Sequence, residues 1–197
     1  LEAAPLPPAP PLDWEEFPLG DAEPLSDAVE QWLARRPAGR YGDAPSSGLS
    51  HHDLNALIHH PRTGWDWDVV CDLFHPTDSV YIDPIFGDFR GQAEIKSWLV
   101  DVMAKVGNVG FRPVGPVLFN GTASVQEWVQ VANLPDGSTV PMTRGTSVRR
   151  FADGWVTYAA DYFDTAPLLT PEVQAASAAC GATIGLDDIM KYRMRAR

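Results

Sequence analysis

The chain has 197 residues and carries 26 acidic against 15 basic side chains, a formal net charge of −11 at pH 7. That sign repels phosphate backbones and anionic lipid surfaces, which argues against nucleic acid or a membrane as a partner, and no apolar run approaches the ~20 residues of a membrane span. Apolar residues make up 45% and seven residues are Trp, enough for a sizeable core in one domain with extra segments or in two very small ones. Cys71 and Cys180 lie far apart and match no metal spacing, so they read as free thiols in a reducing compartment, and a cytoplasmic location is expected. The first residue is Leu rather than Met, which fits a start trimmed by processing and is compatible with a removed targeting peptide.

Residues 1–49 read as an N-terminal arm with one short helix. The stretch from Leu1 to Pro24 is rich in Pro and Ala with acidic interruptions. Such a composition favours extended backbone and buries little, so it is expected to drape over the domain or over a partner subunit. Ser26 caps a helix whose buried side is Leu25, Val29, Trp32 and Leu33 and which ends near Arg36-Pro37. Gly39, Gly42, Pro45 and Gly48 then mark a loop up to Ser50.

From Ser50 the pattern is dense. Ser50 and Asp53 resemble a capping box, with Asp in place of the usual Glu or Gln, for a helix to about His60; Pro61 and Gly64 break it. Asp66 starts a second helix with Val69, Val70, Leu73 and Phe74 on one side, and residues 79–83 form a short strand. Between Gly91 and Val106, the residues Ile95, Trp98, Leu99, Val102, Met103 and Val106 repeat at helical spacing and define one buried stripe. Strands follow. Residues 109–119 are interrupted by Pro113 and Pro116, as an edge or a bulge would be, and residues 123–133, 140–151 and 155–164 complete the set. Asn120-Gly121, Pro135-Asp136-Gly137 and Asp153-Gly154 supply the turns between them. Residues 171–180 and 187–197 read as helices of a C-terminal tail that begins at 168.

Helices first and hairpin-linked strands after them is the order of an α+β fold. A long antiparallel meander curls, and the earlier helices can fill its concave side. The expected architecture is therefore a cone, a curved antiparallel sheet wrapped around helices, with one small-molecule pocket at its mouth.

Two segments carry a family resemblance. One is Val80-Tyr81-Ile82-Asp83-Pro84-Ile85-Phe86-Gly87, preceded by Leu73-Phe74-His75-Pro76 and followed by Arg90-Gly91 and the long helix. The other is Gly145-Thr146-Ser147-Val148-Arg149-Arg150-Phe151-Ala152-Asp153-Gly154-Trp155, running into Ala160-Asp161-Tyr162-Phe163-Asp164. Together they resemble the SnoaL-like branch of the nuclear-transport-factor-2-like superfamily, over residues 50–167. The resemblance implies the cone fold but no single reaction, because such folds host isomerases, dehydratases, cyclases, epoxide hydrolases and non-catalytic binders. It places Asp83 where ketosteroid-isomerase-like members keep a proton-shuttling carboxylate. Asp161 falls where cyclases and limonene-epoxide-hydrolase-like members keep an acid or base. Two departures count against the familiar reactions. Ser147 stands where the isomerases place a protonated Asp, and Trp128 and Gln130 stand where the epoxide hydrolases place Arg and a second Asp.

Each candidate has a plainer alternative. Asp83 shares a strand face with Tyr81 and, in an apolar pocket, would have a raised pKa suited to a base; alternatively it only caps the turn at Pro84. Asp161 sits mid-strand, where a carboxylate is costly without a partner; it is either an acid or base, or half of an ion pair with Arg144 or Arg149. His59, best placed of the histidines at 51, 52, 59 and 60, could reach into the pocket from its helix; otherwise these residues are helix surface. The spacing of His52 and His59 disfavours a shared metal. Most of the Trp residues (Trp65, Trp67, Trp98, Trp155) read as core. Trp128, alternating with Gln126 and Gln130 toward the concave side, suits a flat aromatic ligand.

No nucleophile elbow, phosphate loop or dinucleotide fingerprint is present. The expected function is thus cofactor-free and metal-free: a lyase, isomerase or cyclase acting on a hydrophobic, aromatic small molecule. Asp83, Asp161 and His59 would be its catalytic groups, and Tyr81, Trp128, Gln130, Arg144 and Ser147 its substrate contacts. An epoxide-type hydrolase and a non-catalytic binding module are the alternatives. A homodimer is expected through an outward patch of Val125, Val129 and Val131.

Overall fold

A computed structural model describes residues 24–36, 47–60, 63 and 66–194. The Pro-rich stretch before Pro24, the glycines at 39 and 42, Pro45, the helix break at Pro61 and Gly64, and Trp65 lie outside the described residues.

The first two helices begin where their serines stand. In α1 (Asp27–Arg35) Ser26 Oγ accepts from Val29 N, and in α2 (His51–His59) Ser50 Oγ accepts from Asp53 N. Asp53 then binds both hydroxyls, Ser26 and Ser50, at 2.6 Å each. One carboxylate therefore fastens two helix starts together, and the Asp that replaces Glu in the capping box has this second use. Asp66 caps α3 (Trp67–Cys71) through Val69 N. The clearest helix, α4 (Gly91–Met103), buries Ile95, Trp98, Leu99 and Val102 as their spacing predicts. Its start depends on Gly91: the backbone there has φ +73°, and a Cβ would meet Pro76 O at 2.9 Å.

Periodicity gave no warning of Lys96, which is 1% exposed on the same helix. Its ammonium lies 3.0 Å from Asp68 and 3.2 Å from Asp72, and Asp72 also takes Arg36 Nε at 2.6 Å. The end of α1, α3 and α4 are thereby joined by one buried charge network.

The strands are β1 (Val80–Asp83), β2 (Gly87–Arg90), β3 (Val109–Phe119), β4 (Ala123–Asn133), β5 (Thr139–Ala152) and β6 (Trp155–Phe163). They form one sheet in the order β2-β1-β6-β5-β4-β3, with β3 at the edge its prolines predict. All neighbours are antiparallel except β1 and β6, which run parallel. The strand β2 has no alternating pattern of its own; it forms because the turn at Gly87, with φ +103°, folds it back on β1. Register shifts at Val114/Leu118, Gln130/Val131 and Arg150/Phe151 bend the sheet. The helices fill its hollow: Leu54 and Leu57 of α2, Ile95 and Trp98 of α4, and Tyr81, Phe151 and Ala159 of the sheet share one core. The fold is thus α+β with a curved sheet, as expected.

That core extends past the expected boundaries at 50 and 167, because it also takes in Val29 of α1 and Tyr192 of the last helix. Beyond β6, α5 (Pro171–Ala179) packs Val173 and Ala176 on Ala132 and Met142. The chain then straps itself to α4. Asn108 N donates to Cys180 O and Thr183 N to Lys105 O. Along α6 (Leu186–Arg193), Lys105 meets Asp188 at 2.6 Å and Tyr192 donates to Asp101 at 2.5 Å. Of the three valines expected to face outward, Val129 and Val131 are fully buried within the one chain and Val125 is half-buried.

Removing Asp72 leaves Lys96 and Arg36 short of a buried counter-charge. The variant Asp72→Ala is expected to lose about 3 kcal/mol of stability, read from urea denaturation; a loss near zero would show the network to be incidental.

Candidate active site

The concave face can be read from strand register. Ser147 of β5 pairs with Asp161 of β6 and with Gln126 of β4; Gly145 pairs with Phe163 and Trp128, and Arg149 with Ala159 and Ser124. On β1, Tyr81 pairs with Ala159, and one step beyond the Ile82–Ala160 pair stand Asp83 and Asp161. The two carboxylates are therefore neighbours on one face.

Asp161 is held by hydroxyls. Tyr81 Oη donates to its Oδ2 and Ser147 Oγ to its Oδ1, each at 2.5 Å. Trp128 Nε1 in turn donates to Ser147 Oγ at 2.8 Å. Burial, reinforced by the charge of Asp161, pushes the Tyr81 phenol well above its ordinary value of 10, so this hydroxyl keeps its proton. The indole of Trp128 lies flat on Gly145, where a Cβ would come within 2.5 Å of the ring; Phe111 and Phe163 flank it at 5.3 and 5.7 Å. The ion pair expected as the alternative for Asp161 does not form with Arg144. That residue points to the other face of β5 and pairs with Glu127, so the structure does not bring Arg144 to the site. Gln130 shares a strand face with Trp128 and sits between Phe111 and Thr143 of the adjoining strands.

Asp83 is 9% exposed. Its Oδ1 accepts from Ile85 N and Phe86 N, both at 2.8 Å, so it does cap the turn after β1. It is also strongly perturbed: burial, together with the nearby charge of Asp161, raises its pKa from the ordinary 3.8 to about 7, against the opposing pull of the turn amides and Arg193. Turn cap and poised carboxyl are the same residue. Arg193 donates to Ile85 O at 2.6 Å and to Pro84 O, so the last helix clamps the turn that holds Asp83. Sequence reasoning missed Arg193, because nothing in residues 187–197 signals which turn the tail will reach.

His59 also lies inside. Its Nδ1 stands 2.7 Å from Gln126 Oε1; since that oxygen only accepts, Nδ1 carries the proton and Nε2 has a bare lone pair. Burial and the charge of Arg149 lower its pKa to about 3. It is a neutral acceptor, not an acid. Among the described residues no group of three or more His, Cys, Asp or Glu is placed to hold a metal, and no helix is long and apolar enough to cross a membrane. A cavity of about 420 Å³ lies between the end of α4 and β3, lined by Trp67, Met103, Val106, Phe111, Arg112 and Asn133 among others. The two carboxylates do not line it. They stand behind an aromatic layer, with Phe111 against Trp128, Trp128 bonded to Ser147, and Ser147 bonded to Asp161.

Residues 62–159 match the family model described as the SnoaL-like domain. This segment is a SnoaL-like domain. The SnoaL-like segment holds Tyr81, Asp83, Trp128, Ser147 and Arg149 and stops two residues short of Asp161; Arg193 lies well outside it. Among solved structures, a nuclear-transport-factor-2-like protein of unknown function from Burkholderia pseudomallei is 18% identical, with a TM-score of 0.50 over 60% of this chain and 93% of that one. A protein named TerC, co-crystallised with polyporic acid, is 21% identical with a TM-score of 0.47, covering 58% of this chain and 91% of its own. A Catenulispora acidiphila protein with a ketosteroid-isomerase-like fold, in complex with trimethylamine, is 19% identical with a TM-score of 0.48 over 66% and 93%. No curated protein matches the chain. These likenesses concern the fold.

Two outcomes are expected from Asp83. The folded state holds its proton up to about pH 7, whereas the unfolded chain releases it near 3.8; the contribution of Asp83 to stability is full below that lower value and is lost as pH rises toward 7. Denaturation at pH 4 and pH 7 should show Asp83→Asn gaining on the wild type as pH rises, and a parallel pair of curves would contradict it. Arg193→Met removes a positive charge from beside the turn, so the Asp83 titration, followed by carboxyl ¹³C chemical shift, should move upward from about 7; no movement would mean that the clamp does not reach the carboxyl.

Proposed function

We propose that this protein is an acid–base enzyme, a lyase, isomerase or cyclase, that abstracts a proton from a hydrophobic, aromatic small molecule and completes an elimination or rearrangement. The observation that carries this reading is the pair of neighbouring carboxylates on the concave face. Asp83 is poised near 7, and Asp161 is fixed by two hydroxyl donors. A group with a proton affinity near ambient pH serves both as base and, once protonated, as acid. Oδ1 of Asp83 is occupied by the turn amides, which leaves Oδ2 for the transferred proton.

In this scheme Asp161 has two parts. Its charge helps keep Asp83 basic, and it takes the one proton of the Tyr81 phenol, which leaves that oxygen to accept from a substrate hydroxyl. His59 contributes a neutral acceptor for a substrate hydroxyl. Trp128, Phe111 and Phe163 supply the aromatic surface that favours a flat ring. Such a site needs side chains alone to move the proton.

One observation favours the binding-module alternative. Trp128 is 7% exposed and lies over the concave face, and the 420 Å³ cavity is not lined by Asp83 or Asp161. Turnover separates the two. A panel of phenolic, steroidal and polyketide-like compounds should contain one that the wild type converts, and Asp83→Asn and Asp161→Asn should each lower that rate by about 10²–10⁴-fold. Full activity in both variants would sink the acid–base proposal; binding without conversion across the panel would favour the module.

A further inference from the structure

Arg149 lies on the same face of β5 as Ser147, between Ser124 of β4 and Ala159 of β6. Its Nη1 is closed off from solvent and has no hydrogen-bond partner among the described residues. Two more polar atoms nearby are in the same condition: Ser124 Oγ, on a residue 1% exposed, and His59 Nε2. They converge, because His59 is held by Gln126, and Gln126 follows Ser124 on the same face of β4.

The other two arginines of β5 are accounted for. Arg144 pairs with Glu127, and Arg150 covers the ring of Tyr158. Arg149 forms no ion pair with a carboxylate among the described residues; the nearest acid on its face, Asp161, is taken by Tyr81 and Ser147. Nor can His59 supply a counter-charge, since an imidazole is neutral or positive. The guanidinium makes this corner positive: it adds to burial in lowering the proton affinity of His59, and it opposes the rise that burial and Asp161 impose on Tyr81. Arg149 as a residue is half-buried, but a closed-off guanidinium nitrogen without an acceptor is costly, and a guanidinium fork fits an anionic oxygen better than any other side chain does.

We propose that Arg149, with Ser124, forms an anion subsite that holds a carboxylate or phenolate oxygen of the substrate. The inference rests on the acid–base reading above and narrows it to an anionic aromatic compound. It also orients that compound. Arg149 and Asp161 are diagonal neighbours, with Cα atoms about 7–8 Å apart, roughly one ring and its substituent. With the charged end on Arg149, the reacting carbon falls toward Asp161 and Asp83. The orphan Nε2 of His59 accepts from a substrate hydroxyl beside the anion.

The test is binding, so it stands or falls apart from any assay of turnover. Tryptophan fluorescence titrations would compare benzoate with benzamide, and 4-nitrophenolate with nitrobenzene, each pair alike in shape and different in charge. Wild-type protein should bind at least one anion about ten-fold or more tighter than its neutral partner, and which pair shows it tells carboxylate from phenolate. Arg149→Met should erase that preference and Arg149→Lys should retain part of it. Equal binding within both pairs, no binding of either anion, or a preference that survives in Arg149→Met overturns the subsite. Should Arg149→Met fail to fold, the guanidinium NMR signals of the wild type decide: the favoured anion must shift those of Arg149, and its neutral partner must leave them in place. Loss of activity in the aspartate variants with no anion preference would refute the subsite alone; an anion preference with fully active aspartate variants would refute the acid–base reading alone.

Discussion

A carboxylate set in the middle of a strand and turned toward an apolar core is tolerable only if its lone pairs are met by donors. Asp161 satisfies that condition with the phenol of Tyr81, one strand away on β1, and the hydroxyl of Ser147, one strand away on β5. Much of the concave face follows from this requirement. Ser147 must be small enough to sit beside Asp161 and must also receive the indole N–H of Trp128, and Trp128 can lie across β5 only because position 145 is a glycine. A methyl group on that glycine, or the loss of the serine hydroxyl, would disturb the carboxylate two or three residues away.

The same face carries a gradient of charge. At the β1 end, Asp83 and Asp161 place two acids side by side, which like charges resist, so one of them holds its proton more tightly. Toward β4, Arg149 of β5 and the imidazole of His59 on α2 have no acid partner among the described residues. The polar groups are thus sorted along the sheet rather than paired across it. A site that neutralised itself internally would have little left to offer a ligand; this one keeps its positive and negative ends apart by about the length of a small ring compound.

The last helix changes what counts as part of the site. Residues beyond β6 could have been a detachable tail. Instead hydrogen bonds and ion pairs to Asn108, Lys105 and Asp101 strap them along α4 and bring Arg193 to the carbonyls of Pro84 and Ile85. The turn whose amides hold Asp83 is therefore gripped from both sides, by its own strand pair β1 and β2 and by α6. Elements outside the family-matched segment hold the geometry inside it.

The sequence by itself determined a good part of this. Helix starts at Ser26, Ser50 and Asp66, the stripe of α4 and the four long strands are local properties, set by capping side chains, spacing and turn residues. The shared face of Tyr81 with Asp83, and of Trp128 with Gln126 and Gln130, follows from strand alternation and was legible too. What only the tertiary structure decided is everything that depends on which strand lies beside which, and in what register. The parallel pairing of β1 with β6 puts Asp83 next to Asp161; alternation sets Arg149 and Arg144 on opposite faces of β5, and only the packing decides which face is inside. The same holds for Val129 and Val131: alternation puts them on one face, and packing decides that they are covered. Buried Lys96 and the reach of Arg193 belong here as well, since their partners lie 24 or more residues away and no local pattern announces them. Side-chain chemistry is written along the chain; proximity in space is set by long-range packing, and a proton-transfer site needs both.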